Sequence, residues 1–153
     1  MPKKIGIADT MFSRADMFSI AKKAIEDSME TVDIERYTVP GVKDLPIACK
    51  RLLEDCDICL ALGMPGPMPI DKQCAHEAST GLIQAQLMAG KHILEVFVHL
   101  DEADDDRKLL EIVKNRVYDH TKNALALLKG RNSLERFAGK GIRQGHENEG
   151  SVD

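Results

Sequence analysis

The fold this sequence predicts is a three-layer α/β/α sandwich with a four-stranded parallel sheet, and three observations predict it. Strand-like and helix-like segments alternate four times with short connections, the pattern of a parallel sheet joined by crossover helices. One strand segment, Asp57–Gly63, is almost continuously apolar, as a strand covered on both faces must be. Turns holding Gly and Pro, Pro40–Pro46 and Gly63–Pro69, follow the second and third strand segments. The 153 residues fit a single domain, 1–153, long enough to bury a core.

Lys4 to Asp9 reads as a short buried first strand. The helix after it opens at Ser13 or Asp9 and carries an apolar face through Met17, Ile20, Ala21, Ala24, Ile25 and Met29. Val32 to Val39 is rich in β-branched residues and forms the second strand. Pro40 and Gly41 stop it, Lys43 and Asp44 place opposite charges at the turn, and Pro46 suits a helix's first turn. Leu45, Ala48, Cys49 and Leu52 make the apolar stripe of that short helix.

Beyond the third strand, three prolines and two glycines in the seven residues Gly63–Pro69 dictate a stiff loop. A helix from Asp71 to Ala89 packs through Ala75, Ala78, Leu82, Ala85 and Ala89, and Gly90 ends it. Ile93–His99 is the fourth strand. Asp101–Leu128 is a long helix whose acidic start suits the positive end of the helix dipole. From residue 130 the tail holds a short helix near Asn132–Phe137, the glycine-rich stretch Gly139–Gly145 and a polar, flexible end.

Composition excludes several function classes. A net charge of -4 disfavours nucleic acid as partner, because phosphate binding needs a basic face. No apolar run has membrane-spanning length and no signal-peptide pattern opens the chain, so a cytoplasmic protein without a membrane partner is expected. Cys49, Cys56, Cys59 and Cys74 read as reduced, buried thiols. Cys59 sits inside the apolar run Ile58–Leu62, whereas a redox pair would open a helix and a zinc ribbon would need a second pair. The acidic run from Asp101 to Asp106 matches no calcium loop, and no metal ligands are assigned.

In a parallel sheet, ligands bind beyond the carboxyl ends of the strands, which here means Asp9–Phe12, Pro40–Asp44, Gly63–Pro69 and His99–Glu102. Phe12 either staples onto the following helix or offers a platform for a flat ring. The loop after Gly63 lacks the Lys-Ser/Thr of a P-loop, and its prolines remove backbone N–H donors. No dinucleotide fingerprint, G-x-S-x-G or supported Cys/His dyad is present. His76 and Glu77 point about 100° apart on their helix, so they form a surface pair or one of them serves as acid/base or anchor. Glu95 interrupts an apolar strand and must be paired, be protonated, or face a cleft or subunit boundary.

With those residues laid out, nearly the whole chain resembles the lumazine synthase superfamily, and within it the pentameric archaeal-type riboflavin synthases. Val39–Pro46 resembles the V-P-G-x-x-E-(I/L)-P turn, Asp57–Gly63 the D-x-x-x-A-L-G strand, and Glu77–Gly81 the E-x-x-x-G helix segment. The departures separate the superfamily's two activities. Lumazine synthases carry a glycine-threonine phosphate loop and then a catalytic histidine after the A-L-G strand. Here the loop is shorter and proline-rich, and Ile70 stands where the histidine would be.

The resemblance therefore implies a lumazine synthase-like fold and a riboflavin synthase, a transferase that dismutes two 6,7-dimethyl-8-ribityllumazine molecules into riboflavin and 5-amino-6-ribitylamino-uracil. It implies Phe12 as a stacking ring and Pro40, Gly41, Val42, Lys43 and Asp44 as the ribityl-binding turn. Met64, Pro65 and Gly66 would line the pyrimidine edge, with Glu95 reaching in from a neighbouring subunit. His99 joins the substrate-binding set, and His76 and Glu77 are the acid/base candidates. It implies a homopentamer with sites between subunits and no tightly bound cofactor, with magnesium or another divalent cation as a potential assistant. The alternatives are a lumazine synthase with an atypical site, a non-catalytic lumazine- or flavin-binding oligomer, and a purely structural α/β oligomer.

Overall fold

The computed structural model describes residues 2–153. Along the chain lie β1 (Lys3–Thr10), α1 (Met17–Asp27), β2 (Val32–Val39), a 3-10 turn (Val42–Asp44), α2 (Leu45–Leu52) and β3 (Ile58–Gly63). Then come α3 (Pro69–Ala89), β4 (Ile93–Phe97), α4 (Asp106–Lys129) and a last 3-10 turn, Glu135–Phe137. The four strands form one parallel sheet in the order β2-β1-β3-β4, the predicted α/β architecture.

Alternation along the strands sorts residues by size. Ile58, Leu60 and Leu62 of β3 join Ile5, Ile7 and Val96 in a core shared with Met17, Ala21 and Ile25 of α1 and Val113 and Val117 of α4. The other face carries smaller residues: Ala8, Cys59 and Ala61 meet Ala48 and Cys49 of α2 and Ala75, Ala78 and Ala85 of α3. Small side chains on both sides let α2 and α3 approach the sheet closely, which fixes the turn between β2 and α2 against α3. Every residue of β3 is buried, so its uninterrupted apolar run follows from its central place.

Element ends differ from expectation where several capping residues compete. Helix α1 opens at Met17, capped by Asp16, whose Oδ1 accepts the Ser19 N–H at 3.1 Å. Ser13 instead bonds back to Thr10, and Asp9 is buried in an ion pair with Arg36. Met29 lies outside the helical face: it sits past the helix end at φ 62° and is 89% exposed. Helix α3 begins two residues early, at Pro69, whose fixed φ suits a first turn.

Strand β4 ends at Phe97 rather than His99, and α4 starts at Asp106 rather than Asp101. Of the acidic residues there, Asp105 is the cap, accepting the Lys108 N–H at 2.8 Å, while Asp101 lies in the preceding turn and pairs with Lys72. All four cysteines are free; Cys49, Cys56 and Cys59 are buried and Cys74 is half-buried. Burial pushes the Cys56 thiol up to about 12, and a hydrogen bond toward Cys49 together with burial raises that of Cys59 as well.

Candidate active site

The strand order reverses direction between β1 and β3, and the loops leaving their carboxyl ends flank the crevice where such sheets take ligands. Four segments gather at that rim: 11–16, 40–44, 64–68 and 98–105.

The turn after β2 is seated by two close approaches. A Cβ on Gly63 would lie 2.8 Å from Val42 Cγ1, and one on Gly81 would lie 2.8 Å from Pro46 Cγ. Only glycine lets the end of β3 and the middle of α3 meet this turn. The Asp44 N–H donates to the Gly41 carbonyl at 3.1 Å, and Lys43 Nζ reaches Glu77 Oε1 at 3.3 Å. The Asp44 carboxylate is exposed and has no partner among the described residues.

In the loop after β3, Met64 is 1% exposed and its side chain belongs to the core beneath α1 and α4. Pro65 and Gly66 are buried as well, and a Cβ on Gly66 would overlap the Asp71 carboxylate, so what this loop can offer a ligand is backbone. The loop after β4 is stitched along it: Val98 N–H donates to the Gly63 carbonyl at 3.0 Å and Leu100 N–H to the Pro65 carbonyl at 2.9 Å. His99, half-buried between these bonds, gives its N–H to Glu102 Oε2 at 2.7 Å.

Of the acid/base candidates, Glu77 is brought to the turn, where Lys43 holds it. His76 is exposed, and its ring has no partner among the described residues. Phe12 is 56% exposed and belongs to neither core, so it does not staple onto α1. Phe18 packs there instead, with the Arg36 guanidinium 4.2 Å above its ring. Glu95 lies on the edge strand β4, half-buried, and accepts a hydrogen bond from the Ser79 hydroxyl. Burial raises its pKa, opposed by that hydroxyl and by the nearby His99.

Three features escaped the sequence reading. Asp9 accepts hydrogen bonds from Arg36 Nη2 at 2.6 Å and Thr38 Oγ1 at 2.6 Å, bracing the ends of β1 and β2. Asp71 Oδ2 accepts the Met68 N–H at 3.1 Å and so occupies the N-terminus of α3. Arg116, 7% exposed on α4, grips Glu102 with both Nη atoms. Burial would push the Glu102 carboxyl up, but this guanidinium and the His99 N–H hold it below the ordinary carboxylate range. A signal for Arg116 was present: it falls on the apolar stripe of Leu109, Val113 and Val117.

The cations at the rim are all engaged: Arg14 with Asp106 at 2.9 Å, Lys43 with Glu77, and Lys72 with Asp101 at 2.9 Å. Among the described residues no group of three or more His, Cys, Asp and Glu could hold a metal ion. No helix of the described chain is long and apolar enough to cross a membrane. The rim thus offers an exposed aromatic ring, an unpartnered carboxylate on a turn and a backbone-lined loop, and among the described residues no free cation for phosphate.

Comparison with known proteins shows the family. The family model for 6,7-dimethyl-8-ribityllumazine synthase matches residues 2–131. A protein named riboflavin synthase from Methanothermobacter thermautotrophicus is 51% identical over 97% of this chain and 99% of its own length. Proteins of the same name from Archaeoglobus fulgidus and Aeropyrum pernix are 45% and 40% identical, again over nearly the full length of both chains. On that match and these relatives, the chain belongs to the 6,7-dimethyl-8-ribityllumazine synthase family.

Proposed function

We propose that this chain is the riboflavin synthase of that family, a transferase that moves a four-carbon unit from one 6,7-dimethyl-8-ribityllumazine to another. The observation that carries the choice is the N-terminus of α3. In an ordinary helix that end is an anion site. Here Asp71 fills it with the chain's own carboxylate, Pro65, Pro67 and Pro69 contribute no N–H, and among the described residues no unpaired cation stands nearby. A lumazine synthase must hold a sugar phosphate; two ribityllumazines carry none.

The dismutation is balanced between its two substrates, giving riboflavin and 5-amino-6-ribitylamino-uracil without an external oxidant. Its first need is a proton removed from the acidic 7-methyl group, whose carbanion is delocalised into the ring. Its second is two rings held in register, which is positioning rather than covalent catalysis. Phe12 stacks on one ring, and Asp44 accepts hydrogen bonds from ribityl hydroxyls. Pro40, Gly41, Val42 and Lys43 shape the turn, and Met64, Pro65, Gly66 and His99 border the ring. Glu77, with His76 beside it on α3, is the acid/base candidate nearest the turn.

The assembly in this reading is a homopentamer with each site completed by the neighbouring subunit's edge strand, so that Glu95 faces a site rather than solvent. The apolar side chains left exposed on α3 support it. Four free thiols support a reducing compartment, the cytoplasm. No tightly bound cofactor enters the scheme, and turnover measured in EDTA against added magnesium tests whether a divalent cation assists.

The deciding assay is incubation of the purified protein with 6,7-dimethyl-8-ribityllumazine while riboflavin fluorescence is followed. Riboflavin formation is expected; its absence with and without magnesium would sink the proposal, and tight binding without product would identify a carrier. Condensation of the uracil diamine with a dihydroxybutanone phosphate would instead identify a lumazine synthase. Asp44→Ala removes a charged acceptor and is expected to weaken substrate binding about tenfold or more, read by equilibrium titration. Unchanged affinity there would show that the turn does not bind the ribityl chain.

A further inference from the structure

We infer that the C-terminal segment 143–149 is a strap that positions the loop after β4, acting through Arg116. This inference rests on the proposed site only in counting that loop, with His99, as part of it. Arg116 Nη1 donates to the Phe97 carbonyl at 2.8 Å and to Glu102 Oε2 at 2.8 Å, and Nη2 donates to Glu102 Oε1 at 2.7 Å. These bonds clamp the exit of β4 to the far end of its loop. Glu102 passes the constraint on by accepting the His99 N–H, and Leu100 N–H carries it to Pro65.

The second Nη2 hydrogen turns the other way, toward the strap. His146 Nε2 lies 3.1 Å from it and the Gly145 carbonyl 3.5 Å away, while Gly145 N–H donates to Asn115 Oδ1 at 2.8 Å, one residue before Arg116. The strap is closed on itself by the Arg143 N–H to Asn148 Oδ1 bond at 2.9 Å and the Glu149 N–H to Gly141 carbonyl bond at 2.8 Å. Gly145 has φ +75°, and a Cβ there would overlap the Arg116 guanidinium. The strap therefore does two things to one buried cation. It receives the second Nη2 hydrogen, and it covers the guanidinium from water, which strengthens the Arg116–Glu102 bonds in the lower local dielectric.

The contact is selective in chemistry. An imidazole nitrogen accepts from Arg116 only while it carries no proton, a glutamine oxygen can do the same, and a lysine beside the guanidinium would repel it. The test uses the full chain and native-state amide hydrogen exchange, which reads the loop whether or not the protein turns over lumazine. Gly145→Ala and His146→Lys are each expected to speed exchange at residues 98–102 about tenfold, with β1 and β3 unchanged. His146→Gln is expected to leave the loop protected. Unchanged exchange at 98–102, while the strap's own amides lose protection, would overturn the inference. So would acceleration spread evenly over the strands, which would mark a loss of global stability. An inactive parent protein would defeat the functional proposal without altering this readout.

Discussion

At the scale of single residues, Glu95 shows how position on a strand changes the meaning of a carboxylate. It stands opposite Ala61 in the β3–β4 register, where an apolar residue would pack without cost. Burial raises its pKa in the folded protein. The unfolded chain therefore ionises first as pH rises, so the neutral side chain's contribution is complete below the ordinary carboxylate range. It is lost as pH climbs through the raised folded value. Glu95→Gln is accordingly expected to melt above the parent at about pH 8, with the gap closing near pH 4. An unchanged or lowered melting point at the higher pH would mean that a cation faces Glu95 in the assembly. The oddity of a carboxylate inside an apolar strand was legible in the sequence. Ser79 as its partner was not, because α3 meets β4 only through the tertiary fold.

Among the elements, α3 ties the fold to the site, and Gly81 decides how closely. Helix propensity alone favours Ala over Gly in a helix interior by about 1 kcal/mol. A Cβ at Gly81 would stand 2.8 Å from Pro46 Cγ, part of a rigid ring that cannot swing aside. Overlap is expected to outweigh propensity. Gly81→Ala should lower the urea midpoint and also weaken ribityllumazine binding, since the displaced turn carries Asp44; a raised midpoint would show that α3 and the turn are free to separate. Such couplings set the limit of what sequence could reveal. The stripe of α3, the apolar run of β3 and the Pro40–Pro46 turn are local patterns, and the fold reproduces them. The start of α1 and the start of α4 were misplaced because Asp9, Ser13 and Asp16, or the run from Asp101 to Asp106, all have capping chemistry. Which of them caps depends on neighbours far along the chain: Arg36 claims Asp9 and Lys72 claims Asp101. The Lys43–Glu77 pair and the Arg116–Glu102 clamp were hidden for the same reason.

For the whole molecule, the open question is what covers the outer face of α3. Its inner face is buried through Ala75, Ala78, Leu82 and Ala85, yet Ile83, Leu87 and Met88 are 56%, 78% and 72% exposed, and Ile70 at the helix start is 62% exposed. Ile83 and Leu87 are four residues apart and share one stripe. A stripe of that kind on a helix already packed on its other side marks a protein–protein contact. Beside it runs β4, an edge strand whose unpaired rim would otherwise invite association without limit. A closed ring of subunits satisfies both features, since it covers the helix face and shields the strand edge with the same neighbour. Burying each large aliphatic side chain contributes about 1.5–3 kcal/mol, so two aspartates in this stripe remove most of such a contact's apolar gain. Ile83→Asp with Leu87→Asp is therefore expected to convert the proposed pentamer into a folded monomer, judged by light-scattering mass and an unchanged circular dichroism spectrum. On the proposal that sites are shared between subunits, riboflavin formation should fall with the loss of assembly. A double variant that keeps the parent's mass would place the interface elsewhere. A monomer that keeps full activity would show that each subunit holds a complete site, and Glu95 would then face solvent.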